Sequence, residues 1–124
     1  MTVLVTGGAG YIGSHTVRAL VAQGRDVVVL DSLELGHKSR VGNVPFVIGN
    51  ITDAKIIDKV CRKFEVSEVI HFAAYKAVGE SMEQPLRYYN NNVAGSIALV
   101  RALMANGIEK IVFLFFENSY LSSI

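Results

Sequence analysis

Short runs of aliphatic and β-branched residues alternate along this chain with longer stretches in which apolar residues recur every three or four positions. The first pattern predicts strands and the second helices, and their alternation predicts βαβ units around a parallel sheet. Val3-Leu4-Val5 forms the first strand, apolar at every position and therefore expected to be covered on both faces. A glycine-rich turn leads into a helix over about residues 12–23, with Ile12, Thr16, Ala19 and Leu20 on one face and Gly24 as its stop. A second strand over 27–30 ends at Asp31, residues 32–43 are polar and loop-like, and a third strand covers 45–48. Asp53 is placed to cap a helix whose inward face is Ile56, Ile57, Val60 and Phe64. A fourth strand covers 69–73. Pro85 suits the first turn of a long helix along which Leu86, Tyr89, Val93, Ile97, Val100 and Met104 recur, a stripe expected to face the core. Gly107 ends that helix, and Ile111-Val112-Phe113 opens a fifth strand. Right-handed crossovers then favour the strand order 3-2-1-4-5.

The strongest chemical signal is Thr6-Gly7-Gly8-Ala9-Gly10-Tyr11-Ile12-Gly13, which leaves a strand and opens a helix. The first glycine permits a tight turn, the middle one lets a pyrophosphate approach the backbone, and Gly13 lets the helix pack closely. Free amides and the positive end of the helix dipole would then meet the phosphates. A glycine turn alone can be a mere connection. Asp31, at the end of the second strand and 18 residues after Gly13, changes the balance. Its carboxylate is placed to bind both hydroxyls of an adenosine ribose, and it would repel a 2′-phosphate, so NAD is favoured over NADP. Lys38 and Arg40 are the cations a loop could bring near that position. The fold class expected is α/β, a Rossmann-like doubly wound parallel sheet.

Composition excludes several alternatives. Hydrophobic residues make up 51% of the 124, enough for a core, and 12 basic against 11 acidic residues leave +1. The basic residues are scattered, so neither nucleic acid nor an anionic membrane surface is an expected partner. The longest apolar run, 111–116, is far short of the ~20 residues of a membrane helix. No basic stretch precedes an apolar one at the start, so no signal peptide is read there. The lone Cys61 cannot form an internal disulfide and reads as a structural thiol in a helix, which fits a reducing, cytoplasmic setting. His71 lies within a strand and reads as a satisfied core residue, the sequence around His15 and His37 shows no acid–nucleophile pattern, and no metal-ligand cluster is evident.

With these residues in place, the chain resembles the UDP-glucose 4-epimerase family of extended short-chain dehydrogenases/reductases. The matching segments are VLVTGGAGYIGSH from Val3, Val28 to Asp31, VIHFAAYKAVGES from Val69 and PLRYYNNNVAG from Pro85. The pair HFAAYKAVGES and YYNNNV is far more specific than the glycine loop. The resemblance implies that Gly7, Gly10, Tyr11, Ile12 and Gly13 cradle the pyrophosphate of NAD and that Asp31 and Ser32 meet the adenosine ribose. It further implies that Asn50 and Ile51 flank adenine and that Phe72, Ala73 and Ala74 line the cofactor trough. Lys76 and Asn92 would hold the nicotinamide end. Read by residue type alone, Phe72 and Ala73 would be apolar at a strand end anyway, and Lys76 could be a solvated loop lysine. Asn90, Asn91 and Asn92 are poor helix formers, which points to a polar partner for at least one of them. Further implications are a UDP-sugar substrate, interconversion of UDP-glucose and UDP-galactose by transient oxidation at C4, and a possible homodimer through the long helices.

The resemblance breaks after residue 113. Relatives end the fifth strand in Ser and Thr, one of which polarises the sugar hydroxyl, whereas here the stretch reads Leu114-Phe115-Phe116. They then carry a Tyr-x-x-x-Lys pair, with Tyr as the base and Lys lowering its pKa. Tyr120 is followed four positions on by Ile124, so no catalytic residue is assigned. The expected division is a partial NAD-binding domain over 1–113 and a divergent tail over 114–124. An N-terminal portion of an epimerase, ending before the later strands and inactive by itself, is the expectation, and a frameshift, a truncated gene or an unusual transcript would each produce it. Its fifth strand would be a sheet edge with an apolar end. The alternatives are a related nucleotide-sugar dehydratase or decarboxylase, and a non-catalytic NAD-binding module.

Overall fold

The computed structural model describes residues 1–8, 11–32, 41–72 and 85–114, and for 11 and 85–93 the backbone alone. Five parallel strands form one sheet in the order β3-β2-β1-β4-β5. They are β1 (Thr2–Thr6), β2 (Asp26–Asp31), β3 (Phe46–Ile48), β4 (Val66–Phe72) and β5 (Lys110–Leu114). The helices described are α1 (Tyr11–Ala22), α2 (Ala54–Phe64) and α3 (Pro85–Ala105). This is the expected order, and the predicted elements agree to within a few residues at their ends.

Alternation along the strands sorts the core into two layers. Val3, Val5, Val27 and Val29 face Val17 of α1, with Ile12 and Leu20 packed at the margin. Leu4, Val28, Leu30 and Val69 face the opposite way, onto Ile57, Val60 and Cys61 of α2 and Leu99, Ala102 and Leu103 of α3. Burial on both faces explains the unbroken apolar runs of β1 and β2. The Cys61 thiol is buried in this second layer, and burial, with the Asp58 carboxylate behind it, pushes its pKa up. It is the structural thiol expected.

Helix ends follow their sequence signals. The Asp53 carboxylate accepts from the amides of Lys55 at 3.0 Å and Ile56 at 3.4 Å, the N-cap expected of α2. Gly24 and Gly107 take positive φ just beyond α1 and α3. Each follows the same pattern: Arg25 N–H reaches Leu20 O and Ile108 N–H reaches Leu103 O, a six-residue closure that positive φ permits.

The α3 stripe differs from expectation, and the shared face of α1 is only partly buried. In α1, Ala19 is exposed and Val17 is fully buried. In α3, Ile97 and Met104 are exposed, and the buried stripe is Gly95, Leu99, Ala102 and Leu103. The spacing in α3 is helical as expected, but the buried stripe lies on a different face. That part of the helix is apolar nearly all round, so two stripes compete and packing on α2 and the sheet selects one. Leu86, Tyr89 and Val93 have side chains outside the described residues.

Candidate functional site

Because all five strands are parallel, their C-terminal ends lie along one edge of the sheet. The connection from β1 runs outward to β2 on one side, whereas β4 lies on the other side of β1. This change of direction opens a crevice between β1 and β4, where doubly wound sheets bind ligands. The glycine turn is at that crevice.

Gly7 leaves β1 with φ +75° and its amide donates to Leu30 O at 3.0 Å, which pins the turn to β2. A Cβ on Gly7 would lie 2.6 Å from the Phe72 carbonyl oxygen at the end of β4. A Cβ on Gly13 would lie 2.4 Å from the Gly7 carbonyl oxygen and 2.9 Å from Gly8 Cα. The first turn of α1 therefore sits directly on the turn that precedes it, and any side chain at position 13 would push the helix N-terminus away. Close packing at Gly13 was expected, but its partner is the turn backbone and not the sheet. Gly8, to which no role was assigned, supplies the helix-to-sheet fit: its Cβ would meet Val29, Val5 and Val17 at 2.9–3.3 Å. Ile12 is half-buried against the same layer.

Asp31 ends β2 one position beyond Leu30, the register partner of Thr6. It is buried, and alternation puts it on the face that α1 covers, beside the glycine turn. Its carbonyl accepts from Gly49 N–H at 3.1 Å, which brings the segment after β3 alongside. Asn50 follows, exposed, with its Oδ1 accepting from Thr52 N–H at 2.9 Å and Thr52 Oγ1 at 2.8 Å. Those bonds fix the amide's orientation and occupy its oxygen. Ile51 is half-buried against α2 and α3. Ser32 is exposed just past β2, and Phe72 is buried at the end of β4.

Gly7, Ile12, Gly13, Asp31, Ser32, Asn50, Ile51 and Phe72 thus gather along one edge of the sheet. Tyr11 opens α1 and Asn92 lies in the first half of α3, with side chains outside the described residues. Gly10, Ala73, Ala74, Lys76, Lys38, Arg40 and the stretch from Phe115 to Ile124 also lie outside them. Among the described residues no group of three metal-ligating side chains converges, and no helix is long and apolar enough to cross a membrane.

His71 sits at the same end of β4, 4% exposed. Burial lowers its pKa to about 4, so the ring is neutral at ordinary pH. It shares a hydrogen bond with the Thr6 hydroxyl, as the reading of a satisfied core residue expects.

The strand order, the strand-to-helix glycine turn and the acidic end of β2 define a Rossmann-type doubly wound domain with a dinucleotide-style turn. Residues 3–116 match the family model described as "NAD dependent epimerase/dehydratase family". The chain belongs to that family. It is 48% identical over 113 residues to a UDP-glucose 4-epimerase of Halalkalibacterium halodurans, covering 91% of this chain and 34% of the relative. Among solved structures, the Brucella ovis UDP-glucose 4-epimerase in complex with NAD superposes with a TM-score of 0.84 at 45% identity, covering 90% of this chain and 34% of that one. The Thermus thermophilus UDP-glucose 4-epimerase complex with NAD gives a TM-score of 0.83 at 41% identity, with 91% and 37% covered. The chain therefore spans about a third of the length of the relatives it matches.

Proposed function

We propose that these residues form the NAD-binding part of a UDP-glucose 4-epimerase. The observation that carries this reading is the pairing of a strand-to-helix turn that has no room for a side chain at Gly7 or Gly13 with a buried carboxylate one strand away. The Cβ positions at both glycines are already filled by backbone, so the turn and the first turn of α1 pack backbone to backbone. Gly7, Gly10, Tyr11, Ile12 and Gly13 would hold the diphosphate through amides and the helix dipole. Asp31 and Ser32 would bind the adenosine ribose, and Asn50 and Ile51 the adenine. Phe72, Ala73 and Ala74 would line the path toward the nicotinamide, with Lys76 and Asn92 at that end.

Bound NAD would supply a reversible hydride acceptor for C4 of a UDP-sugar. The chain's own residues orient it: the turn fixes the diphosphate, and the acidic end of β2 selects a free 2′-hydroxyl over a phosphate. Residues 1–124 contain neither the Ser/Thr run at the end of β5 nor a Tyr-x-x-x-Lys pair, so a proton-transfer group for the sugar is missing from them. The division proposed is an NAD-binding unit over 1–113 and a separate tail over 114–124. By itself this 124-residue chain is expected to bind NAD in a cytoplasmic setting and not to epimerise UDP-glucose. The UDP-sugar partner and the homodimer rest on the likeness to longer relatives.

Isothermal calorimetry on the 124-residue chain tests the reading. Saturable NAD binding is expected, with much weaker NADP binding, and Asp31→Ala should weaken NAD roughly tenfold by removing a charged hydrogen-bond acceptor. A folded chain with no NAD binding, or one whose affinity ignores Asp31, would overturn it. Measurable UDP-galactose 4-epimerisation would refute the inactivity separately.

A further inference from the structure

Thr6, His71 and Phe113 stand in a row across three strands. Thr6 is the register partner of His71, and His71 of Phe113. Two residues earlier on each strand, Leu4, Val69 and Ile111 belong to the layer facing α2 and α3, so alternation puts all three side chains on that face. Thr6 is 0% exposed, and its hydroxyl and His71 Nδ1 are hydrogen-bonded to each other. The His71 ring meets Phe113 edge to face, with centroids 5.4 Å apart and planes at 83°. A polar pair in an apolar layer costs desolvation that an apolar pair would avoid. The pair's position offers a reason to keep it.

Thr6 is the last residue of β1, and Gly7 follows it directly. The end of β4 touches this exit twice. The Phe72 carbonyl fills the place of a Gly7 side chain. The His71 ring holds Thr6. The hydrogen bond is directional where an apolar contact would not be, so it sets the rotation of the Thr6 side chain and ties the last residue before the turn to β4. We infer that His71 is a positioning residue for the phosphate-binding turn, acting through Thr6 on the direction in which β1 releases residues 7–13, and braced from the other side by Phe113. The inference rests on the reading of that turn as the NAD site. His71 does not touch the cofactor in this account. Its neutral ring offers one donor and one acceptor, which suits a fixed hydrogen-bonding wedge.

The decisive variant replaces both partners by apolar groups of similar shape, Thr6→Val with His71→Phe. Removing both polar groups together leaves neither unsatisfied, so the urea midpoint should stay near that of the unaltered chain. NAD affinity, measured by calorimetry, should nevertheless fall roughly tenfold. Thr6→Ser keeps the hydroxyl and His71→Asn keeps a polar atom near the Nδ1 position, and each should hold affinity within about threefold. Amide hydrogen exchange of Gly7 and Gly8 in the ligand-free chain should be faster in the double variant and unchanged in Thr6→Ser. Should the double variant fail to fold, Thr6→Val compared with Thr6→Ser gives the same contrast. Unchanged affinity and unchanged exchange in an apolar variant that folds would overturn the inference and leave the NAD reading standing. No NAD binding by the unaltered chain would overturn both.

Discussion

The middle of the sheet and its β5 edge are built from similar residues and end in different situations. From Val3 to Thr6 every residue of β1 is buried, and from Val27 to Asp31 every residue of β2. In β5 the sequence KIVFL is as apolar, yet burial alternates: Ile111 and Phe113 are half-buried toward α3 and His71, while Val112 is 51% exposed and Leu114 37%. Val112 and Leu114 point to the face that α1 covers over β1 and β2, and no described element covers it over β5. Apolar content therefore reports what a strand could bury, and the helices set what it does bury. The glycine turn grows from the fully covered strands. Its backbone-to-backbone contacts at Gly7 and Gly13 need neighbours that cannot yield, and β1, β2 and β4 provide them.

If that contrast is right, the largest loss of stability comes from the middle. Leu4 is fully buried between β2, β4 and the α2–α3 layer. Leu4→Ala should cost about 3–4 kcal/mol in urea unfolding, as large-to-small core changes do, and should weaken NAD binding only in step with the unfolded fraction. A cost below about 1 kcal/mol would mean that the centre packs no better than the edge.

Acid is expected to act on the same region. The folded-state pKa of His71, about 4, lies below its ordinary 6.5. Between those values the unfolded chain binds more protons than the folded one, so stability rises with pH across this window. The contribution is complete above about pH 6.5, shrinks as pH falls, and is gone below about pH 4. Its size is on the order of 3 kcal/mol. The clean measurement is the difference between the unaltered chain and His71→Asn, which isolates the ring's share. The unaltered chain should lose stability relative to His71→Asn as pH drops from 7 to 4, and parallel curves would show that the ring is not held neutral.

Much of this was legible in the sequence, and the parts that were not share a cause. Local signals were sound: Asp53 caps α2, Gly24 and Gly107 close α1 and α3, and Asp31 ends β2. Each of those depends on a few neighbouring residues. The misreadings depended on distant ones. Ile97 and Met104 fit a helical repeat as well as Leu99 and Leu103 do, and only contact with α2 and the sheet separates the stripes. Gly8 gave no sign that Val5, Val17 and Val29 would close on it. The Thr6–His71 bond spans 65 residues, and a threonine before a glycine turn and a histidine in a strand do not announce each other.

The smallest expected effect on stability is at the edge, and it is the sharpest test of the contrast. Val112→Lys places a charge on the exposed face of β5, next to Lys110 on the same side of the strand. A half-exposed valine has little packing to lose, so the cost in urea unfolding should be within about 0.5 kcal/mol. An inward-lying or covered position would charge several times that for a buried ammonium group. Light scattering on heating should show slower aggregation, because a lysine on an edge strand opposes edge-to-edge pairing of chains. A destabilisation above about 2 kcal/mol would mean that something in the molecule covers Val112 after all. Unchanged aggregation with unchanged stability would locate the sticky surface elsewhere, and Met104, 67% exposed on α3, is the next position at which to place a charge.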